Sequence, residues 1–70
     1  MILAKKIAFE KELKNIDISR MTGLHPTTIS KVMNGKERPY PVQAKKIALA
    51  LGCDTEPEAI CTLFKEVGNA

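Results

Sequence analysis

Residues 23–35 have the sequence GLHPTTISKVMNG, which predicts one short helix between two glycine-containing ends. Pro26 suits the first helical position, because its missing N–H is not needed there and its fixed φ matches the helical value. Ile29 and Val32 are three residues apart, so they share one face, and we expect that face to be buried. The closing Asn-Gly pair ends the helix. The other face offers short hydroxyls and a lysine, where a purely structural helix would normally have longer side chains.

A second short helix precedes this stretch and meets it at a tight turn. We predict it from Ile16 to Thr22, with Asn15 or Asp17 supplying the oxygen that caps its free N–H groups. Gly23 follows it and suits the left-handed conformation that commonly ends helices. His25 is then the N-cap of the next helix, although histidine is not a preferred residue there. Two short helices joined in this way are typical of a helix-turn-helix unit, and also of helical hairpins that bind nothing.

Three more helices are predicted around this pair, since no segment shows the sustained alternation of a strand. They span about residues 2–12, 41–52 and 55–67, and a capping box from Thr55 to Glu58 opens the last one. Their apolar residues are Leu3, Ala4, Ile7 and Ala8 in the first, Val42, Ala44, Ile47, Ala48 and Leu51 in the second, and Ile60, Leu63, Phe64 and Val67 in the third. We therefore predict an all-α fold, a compact five-helix bundle. It forms a single domain over residues 1–70, with a core at about 3–67 and a flexible tail at 68–70.

The composition is that of a small globular protein, with 44% hydrophobic and 27% charged residues among 70. The longest apolar stretches are far shorter than the roughly 20 residues that cross a bilayer, so we expect no membrane span. Lysines interrupt the apolar start of the chain and no small-residue cleavage site follows, which argues against a signal peptide. We expect a cytoplasmic protein.

Few residues could bind a metal or carry out catalysis. Cys53 and Cys61 are eight apart and His25 is the only histidine, whereas zinc sites need three or four ligands. The spacing would permit a disulfide, but two free thiols suit a cytosolic chain better, with Cys61 partly buried. There is also no glycine-rich phosphate loop. We therefore expect no cofactor, no metal, no small-molecule ligand and no enzymatic activity.

Positive charge is concentrated immediately after the quoted stretch. The chain has a net charge of +3, and residues 31–46 contain five basic residues against one acidic residue. Residues 54–66 instead contain four acidic residues against one basic residue. This uneven distribution favours a polyanionic partner such as nucleic acid, while a solvated lysine-rich surface remains the alternative.

Five polar side chains face outward if Ile29 and Val32 face the core: Thr27, Thr28, Ser30, Lys31 and Asn34. A helix that enters the major groove, about 12 Å wide, is often lined with short side chains that can hydrogen-bond base edges. Lys31 can reach a guanine acceptor or a phosphate. Helix capping and surface exposure alone would explain Thr27 and Thr28 well, but they explain Ser30, Lys31 and Asn34 poorly. The pattern therefore favours a helix that reads DNA.

The segment ISRMTGLHPTTISKVMNGKERPYPVQAKKIALALG resembles the Cro/phage-repressor-like (Xre) helix-turn-helix domain, and the similarity covers about residues 3–67. Its most specific parts are the spacing from the turn glycine to Ile29-Ser30, the Asn-Gly pair, and the run from Ile47-Ala48 to Leu51-Gly52. The resemblance implies a bundle of the lambda-repressor-like DNA-binding type, with the helix-turn-helix at the second and third helices.

The resemblance also implies roles for individual residues. Positions that read or approach bases match Pro26, Thr27, Ser30 and Lys31, and positions at the DNA backbone match Asn15, Thr28, Asn34, Lys36 and Arg38. Pro26 departs from the family because it has no donor, so any base reading there is apolar. Many members have an arginine near Ala8 and a glutamate near Met33, and this chain is apolar at both places. Tyr40, between two prolines, is expected to cover the core, with stacking on the DNA backbone as the alternative.

We expect a sequence-specific double-stranded DNA-binding transcription regulator that inserts its third helix into the major groove. Repression by occupying a promoter is the simplest mode of action. A phage or mobile-element protein is the second interpretation within DNA binding. A homodimer is expected, because one short helix reads few base pairs. Leu63, Phe64 and Val67 in the fifth helix are the candidate interface, unless they complete the core instead. The alternative function is a small protein-interaction or antitoxin-type module that uses the same bundle, and the basic residues argue against it.

Overall fold

The structure, a computed structural model that describes residues 1–66, contains five α-helices. They are α1 (Leu3–Glu10), α2 (Asn15–Thr22), α3 (Pro26–Met33), α4 (Pro41–Ala50) and α5 (Pro57–Leu63). Among these residues the only β-type pairing is an isolated antiparallel bridge between Ile2 and Glu66. The predicted all-α bundle is confirmed. The last helix ends at Leu63, four residues before its predicted end at Val67. Val67 itself and the predicted tail at 68–70 lie outside the described residues.

Two further helices, α1 and α4, were also predicted too long at their C-termini, and each is followed by a residue in the left-handed conformation. α4 ends at Ala50 because Gly52 has a φ of 73°, and the N–H of Cys53 then donates to the carbonyl of Ala48 at 2.8 Å. α1 ends at Glu10 in a similar way, with Glu12 at a φ of 58°. Both ends have the geometry in which a left-handed residue turns the chain back onto the last carbonyls.

The predicted capping box at the start of the last helix is wrong. α5 begins at Pro57, with Glu56 as its N-cap and no capping hydrogen bond from a side chain. The N–H of Glu56 instead donates to Asp54 Oδ1 at 3.2 Å. This Asx-type turn holds the segment in an irregular conformation up to Glu56, so Thr55 lies before the N-cap position.

The core is a single cluster to which every helix contributes. Its buried apolar residues are Ile2, Ala4, Ala8, Ile18, Ile29, Val32, Met33, Ile47, Ala48, Leu51 and Leu63, and Ala44 is buried as well. Leu3 and Ile7, predicted to be buried, are half-buried and pack against its edge. Val42 was predicted to lie in the core and is 65% exposed. It lies two residues before Ala44, and at 100° per residue that spacing places the two side chains on opposite sides of α4.

The cysteines form no disulfide, and the described residues contain neither a cluster of metal ligands nor a membrane-spanning helix. Both cysteines are free; Cys53 is half-buried, and Cys61 is exposed rather than partly buried as predicted, because it lies on the outer side of α5. No group of three or more potential metal ligands lies together within residues 1–66. In the same part of the chain, no helix has the length and hydropathy that crossing a bilayer requires.

Two hydroxyl groups close the turn between α2 and α3. Gly23 adopts the predicted left-handed conformation, with a φ of 77°, and its N–H donates to the carbonyl of Ser19 at 2.8 Å. The Ser19 hydroxyl donates to the carbonyl of Leu24. The buried Thr22 hydroxyl donates to the carbonyl of Ile18 at 2.7 Å and accepts from the N–H of Leu24 at 3.2 Å. Side chains of α2 therefore fix the direction in which α3 leaves the turn.

Replacing Thr22 with valine should lower the free energy of unfolding by about 1–3 kcal/mol, because the N–H of Leu24 loses its partner in a half-buried position. Denaturant unfolding followed by circular dichroism measures this change. Thr62 is the matched control, since its exposed hydroxyl donates to the carbonyl of Glu58 one turn earlier in α5 and accepts nothing from the turn. We expect Thr62→Val to change stability by less than about 0.5 kcal/mol. Equal losses in the two variants would contradict a special role for Thr22.

Candidate nucleic-acid interface

One side of α3 is buried and the other is open to solvent. Ile29, Val32 and Met33 lie in the core, as predicted for the first two. The four candidate base-reading residues lie away from that side: Pro26, Thr27 and Lys31 are exposed and Ser30 is half-buried. Burial of three large residues fixes the rotation of α3, so these four side chains face outward as a set.

The start of α3 is fixed by its cap. His25 is the N-cap, as predicted, and its Nδ1 accepts from the N–H of Thr27 at 3.1 Å. Pro26 occupies the first helical position, and the first turn contains no acidic residue. The positive end of the helix dipole is therefore not neutralised by the helix's own side chains, which suits an anionic partner.

The start of α2 differs slightly from the prediction. Lys14 is the N-cap, and Asp17 assists by accepting from the N–H of Lys14 at 2.9 Å. Asn15 is the first residue of the helix rather than its cap, and its side chain is exposed. No hydrogen bond within residues 1–66 connects the Asn15 side chain to α3.

Asn34, the residue that ends α3, connects that helix to α1. Its Oδ1 accepts from Lys5 Nζ at 2.8 Å, and its Nδ2 donates to Ser30 Oγ at 3.4 Å. Ser30 and Asn34 were both predicted site residues, and the structure brings them together. Lys5 was missed by the sequence analysis because it is 29 residues from Asn34, and no local pattern indicates that contact.

The segment after α3 presents basic side chains to solvent. The N–H of Lys36 donates to the carbonyl of Lys31 at 2.9 Å, which fixes the backbone, while the side chains of Lys36 and Arg38 are exposed. Within the described residues, the only ion pair joins the N-terminal ammonium to Glu66, so Lys31, Lys36 and Arg38 pair with no carboxylate there. Three cations without a carboxylate partner in residues 1–66 favour an external anion.

Tyr40 does not cover the core, contrary to the prediction, and is 73% exposed. It is the N-cap of α4, and its N–H donates to Gln43 Oε1 at 3.0 Å. The extended backbone of an N-cap residue, flanked here by two prolines, directs the ring away from the bundle. Thr28, the remaining candidate for a backbone contact, is half-buried on α3.

The candidate dimer residues have different environments. Leu63 is only 2% exposed and belongs to the core, whereas Phe64 is half-buried and Val67 lies outside the described part of the chain. Phe64 lines an open groove of about 720 Å³ between α5 and the segment that leads into α4, together with Pro39 and Ile60. Of the two candidates within the described residues, Phe64 is therefore the one that a second protein could contact.

The α2–turn–α3 unit, its outward polar face and the basic segment after it are together the features of a DNA-binding helix-turn-helix protein. Comparison with known families agrees: the model of the Helix-turn-helix family matches residues 3–57. The chain belongs to this family, in its Cro/C1-type form. The family binds DNA and is not enzymatic. No curated protein and no solved structure gives a significant match.

The family match covers most of the bundle but not all of it. It includes all of α1 to α4 and ends at Pro57, the first residue of α5. The bundle is accordingly of the lambda-repressor-like type. The groove beside Phe64 is lined partly by residues inside the matched range, such as Arg38 and Pro39, and partly by residues outside it, among them Ile60 and Phe64.

Proposed function

We propose that this protein is a transcriptional repressor that inserts α3 into the major groove of a specific DNA site. The main support is the two-sided character of α3, which buries Ile29, Val32 and Met33 and exposes a short polar face with Lys31 at its centre. Such a helix fits a groove about 12 Å wide without steric conflict. Occupation of a promoter by the bound protein then prevents transcription.

The base-reading residues in this proposal are Pro26, Thr27, Ser30 and Lys31. Hydroxyl groups can hydrogen-bond several bases, and the methyl group of a threonine can contact the thymine methyl. Pro26 offers only an apolar contact. Lys31 has the longest reach of the four, and its ammonium group prefers the O6 and N7 acceptors of guanine.

The residues proposed to hold the DNA backbone surround that face: Asn15, Thr28, Asn34, Lys36 and Arg38. Contacts to phosphates set the register of the protein on the duplex and contribute most of the salt-dependent affinity. Lys36 and Arg38 lack carboxylate partners among the described residues, so binding phosphate costs them no internal ion pair. The exposed Tyr40 ring lies two residues beyond Arg38 and is a further candidate for contact with the backbone.

We further propose that the whole chain, residues 1–70, is a single domain that acts in the cytoplasm, for a phage or mobile element, as a homodimer. Two copies would read two half-sites about 34 Å apart, which a single short helix cannot do. The groove beside Phe64 is the proposed contact surface. Lys45, Lys65 and Glu37 also line this groove, so two copies related by a two-fold axis could pair opposite charges.

Selection of bound sites from random duplex DNA at near-physiological salt tests the proposal. We expect enrichment of a two-fold-symmetric motif whose half-sites are about one helical turn apart. An enriched single half-site would support major-groove reading and contradict the dimer. Weak binding without enrichment, lost as salt rises, would contradict sequence-specific recognition and favour a protein-interaction or antitoxin-type module instead.

A further inference from the structure

Three side chains from two helices form a chain of hydrogen bonds at the edge of the proposed DNA-binding face. Lys5 on α1 donates from Nζ to Asn34 Oδ1 at 2.8 Å. Asn34 donates from Nδ2 to Ser30 Oγ at 3.4 Å. The chain ends on Ser30, which is one of the four proposed base-reading residues.

The chemistry of the first member sets the direction of every bond in this chain. An ammonium group has three donors and no acceptor, so the Asn34 atom that contacts Lys5 must be the amide oxygen. The amide nitrogen, which can only donate, is then turned towards Ser30. Ser30 Oγ therefore accepts from Asn34, and its own hydrogen remains available to donate elsewhere.

The Ser30 hydrogen is not used within the described part of the protein. The hydroxyl of a helical serine can donate to the carbonyl one turn earlier, as Thr22 and Thr62 do here. Within residues 1–66, the one hydrogen bond of the Ser30 side chain is the bond that it accepts from Asn34. The free hydroxyl hydrogen therefore lies on the half-exposed side of α3 that faces DNA in the proposed complex.

We infer that Lys5 is a positioning residue for specificity, which acts through Asn34 to hold Ser30 as a hydrogen-bond donor towards the DNA bases. This inference rests on the proposed function. A donor in the major groove selects base edges with acceptors, namely guanine O6 and N7, adenine N7 and thymine O4. The cytosine amino group is itself a donor and cannot accept the Ser30 hydrogen, so it can interact only with the remaining lone pair of Ser30 Oγ.

Without the Lys5 ammonium group, nothing in this chain of hydrogen bonds fixes the orientation of the Asn34 amide. Without Lys5 the Asn34 amide can rotate and present its oxygen to Ser30, whose hydroxyl then donates to Asn34 and accepts from a base. In that orientation Asn34 uses the Ser30 hydrogen and only the lone pairs of Oγ remain for a base, so the preference for an acceptor edge at the facing base pair is weakened. The number of contacts to the base is unchanged, which distinguishes this effect from the loss of a base-reading side chain.

The test compares Lys5→Met with Lys6→Met, both by site selection and by competition binding. Lys6 is the matched control, because it is the next residue of α1, is also exposed and carries the same charge. Selection with Ser30→Ala first identifies the base pair that Ser30 contacts. At that base pair we expect Lys5→Met to lower the discrimination between acceptor and donor edges roughly three- to tenfold, while Lys6→Met keeps the wild-type preference. In the Ser30→Ala background, Lys5→Met should have no further effect on preference.

Three results would overturn the inference and leave the proposed function intact. They are an unchanged preference in Lys5→Met, an equal change in Lys6→Met, or a change that persists in the Ser30→Ala background. Uniform weakening on every sequence belongs to the first case and would make Lys5 a phosphate contact. If the wild-type protein selected no motif, the proposed major-groove recognition would fail, and this inference would fail with it.

Discussion

Replacing Lys31 with alanine is expected to weaken binding to the selected DNA site by roughly five- to 150-fold, the equivalent of about 1–3 kcal/mol for a well-placed base contact. Lys31 is exposed on α3, between the buried Ile29 and Val32 in sequence but on the opposite face. Within the described residues it forms no ion pair, so little of the loss can come from destabilising the free protein. Affinity measurements on the selected site and on its single-base variants give the result.

The pattern of loss across those DNA variants determines the role of Lys31. If Lys31 reads a base, its removal should flatten the preference at one or two positions of the site and leave the others unchanged. Lys46→Ala is the matched control: Lys46 is an exposed lysine on α4, next to Met21 and Leu49 and away from α3. A uniform loss on all sequences would make Lys31 a phosphate contact, and a loss no larger than that of Lys46→Ala would remove it from the interface.

The largest expected effect on stability is that of Ile47→Ala, which should lower the free energy of unfolding by about 2–5 kcal/mol. Ile47 is fully buried in α4, at the centre of the cluster that also contains Ile18 and Ile29. The loss combines the transfer of the removed methyl and methylene groups with the cavity that remains. A domain of this size has little stability to lose, so the variant is expected to be partly unfolded at physiological temperature.

Leu49→Ala is the control for that variant, because Leu49 lies two residues further along α4 and is 67% exposed. Its removal should change stability by less than about 0.5 kcal/mol. Ile47→Val, expected to cost about 0.5–1.5 kcal/mol, provides a folded variant in which the effect can be measured by urea unfolding. Equal losses at positions 47 and 49 would contradict the observed orientation of α4.

The parts of the fold that were predicted correctly depend on local signals. Pro26 and the Asn-Gly pair mark both ends of α3, and the spacing of Ile29 and Val32 determines which face is buried. The turn glycine and the His25 cap are likewise determined by residues near them in sequence. These same local features support the family resemblance, which the family match confirms.

The errors occurred where the outcome depends on residues that are distant in sequence or on competing local bonds. Tyr40 is an aromatic residue in a largely polar loop, and only the backbone geometry at the start of α4 shows that its ring faces solvent. The capping box at Thr55 had the right residue types, but Asp54 bonds to the Glu56 N–H instead. The contact between Lys5 and Asn34 has no sequence pattern at all. The roles of the individual site residues towards DNA stay predictions.

The hydrogen bonds that close the α2–α3 turn have a consequence for the order in which the protein folds. They join residues two to five positions apart, whereas the bridge between Ile2 and Glu66 joins opposite ends of the described chain. Closing a short loop costs less entropy than closing a long one, so the turn can form while the ends are still apart. We expect α2 and α3 to belong to the folding nucleus and the pairing of the ends to form last. Native-state amide exchange should then be faster at Leu3, whose N–H donates to the carbonyl of Lys65, than at Leu24, whose N–H donates to Thr22.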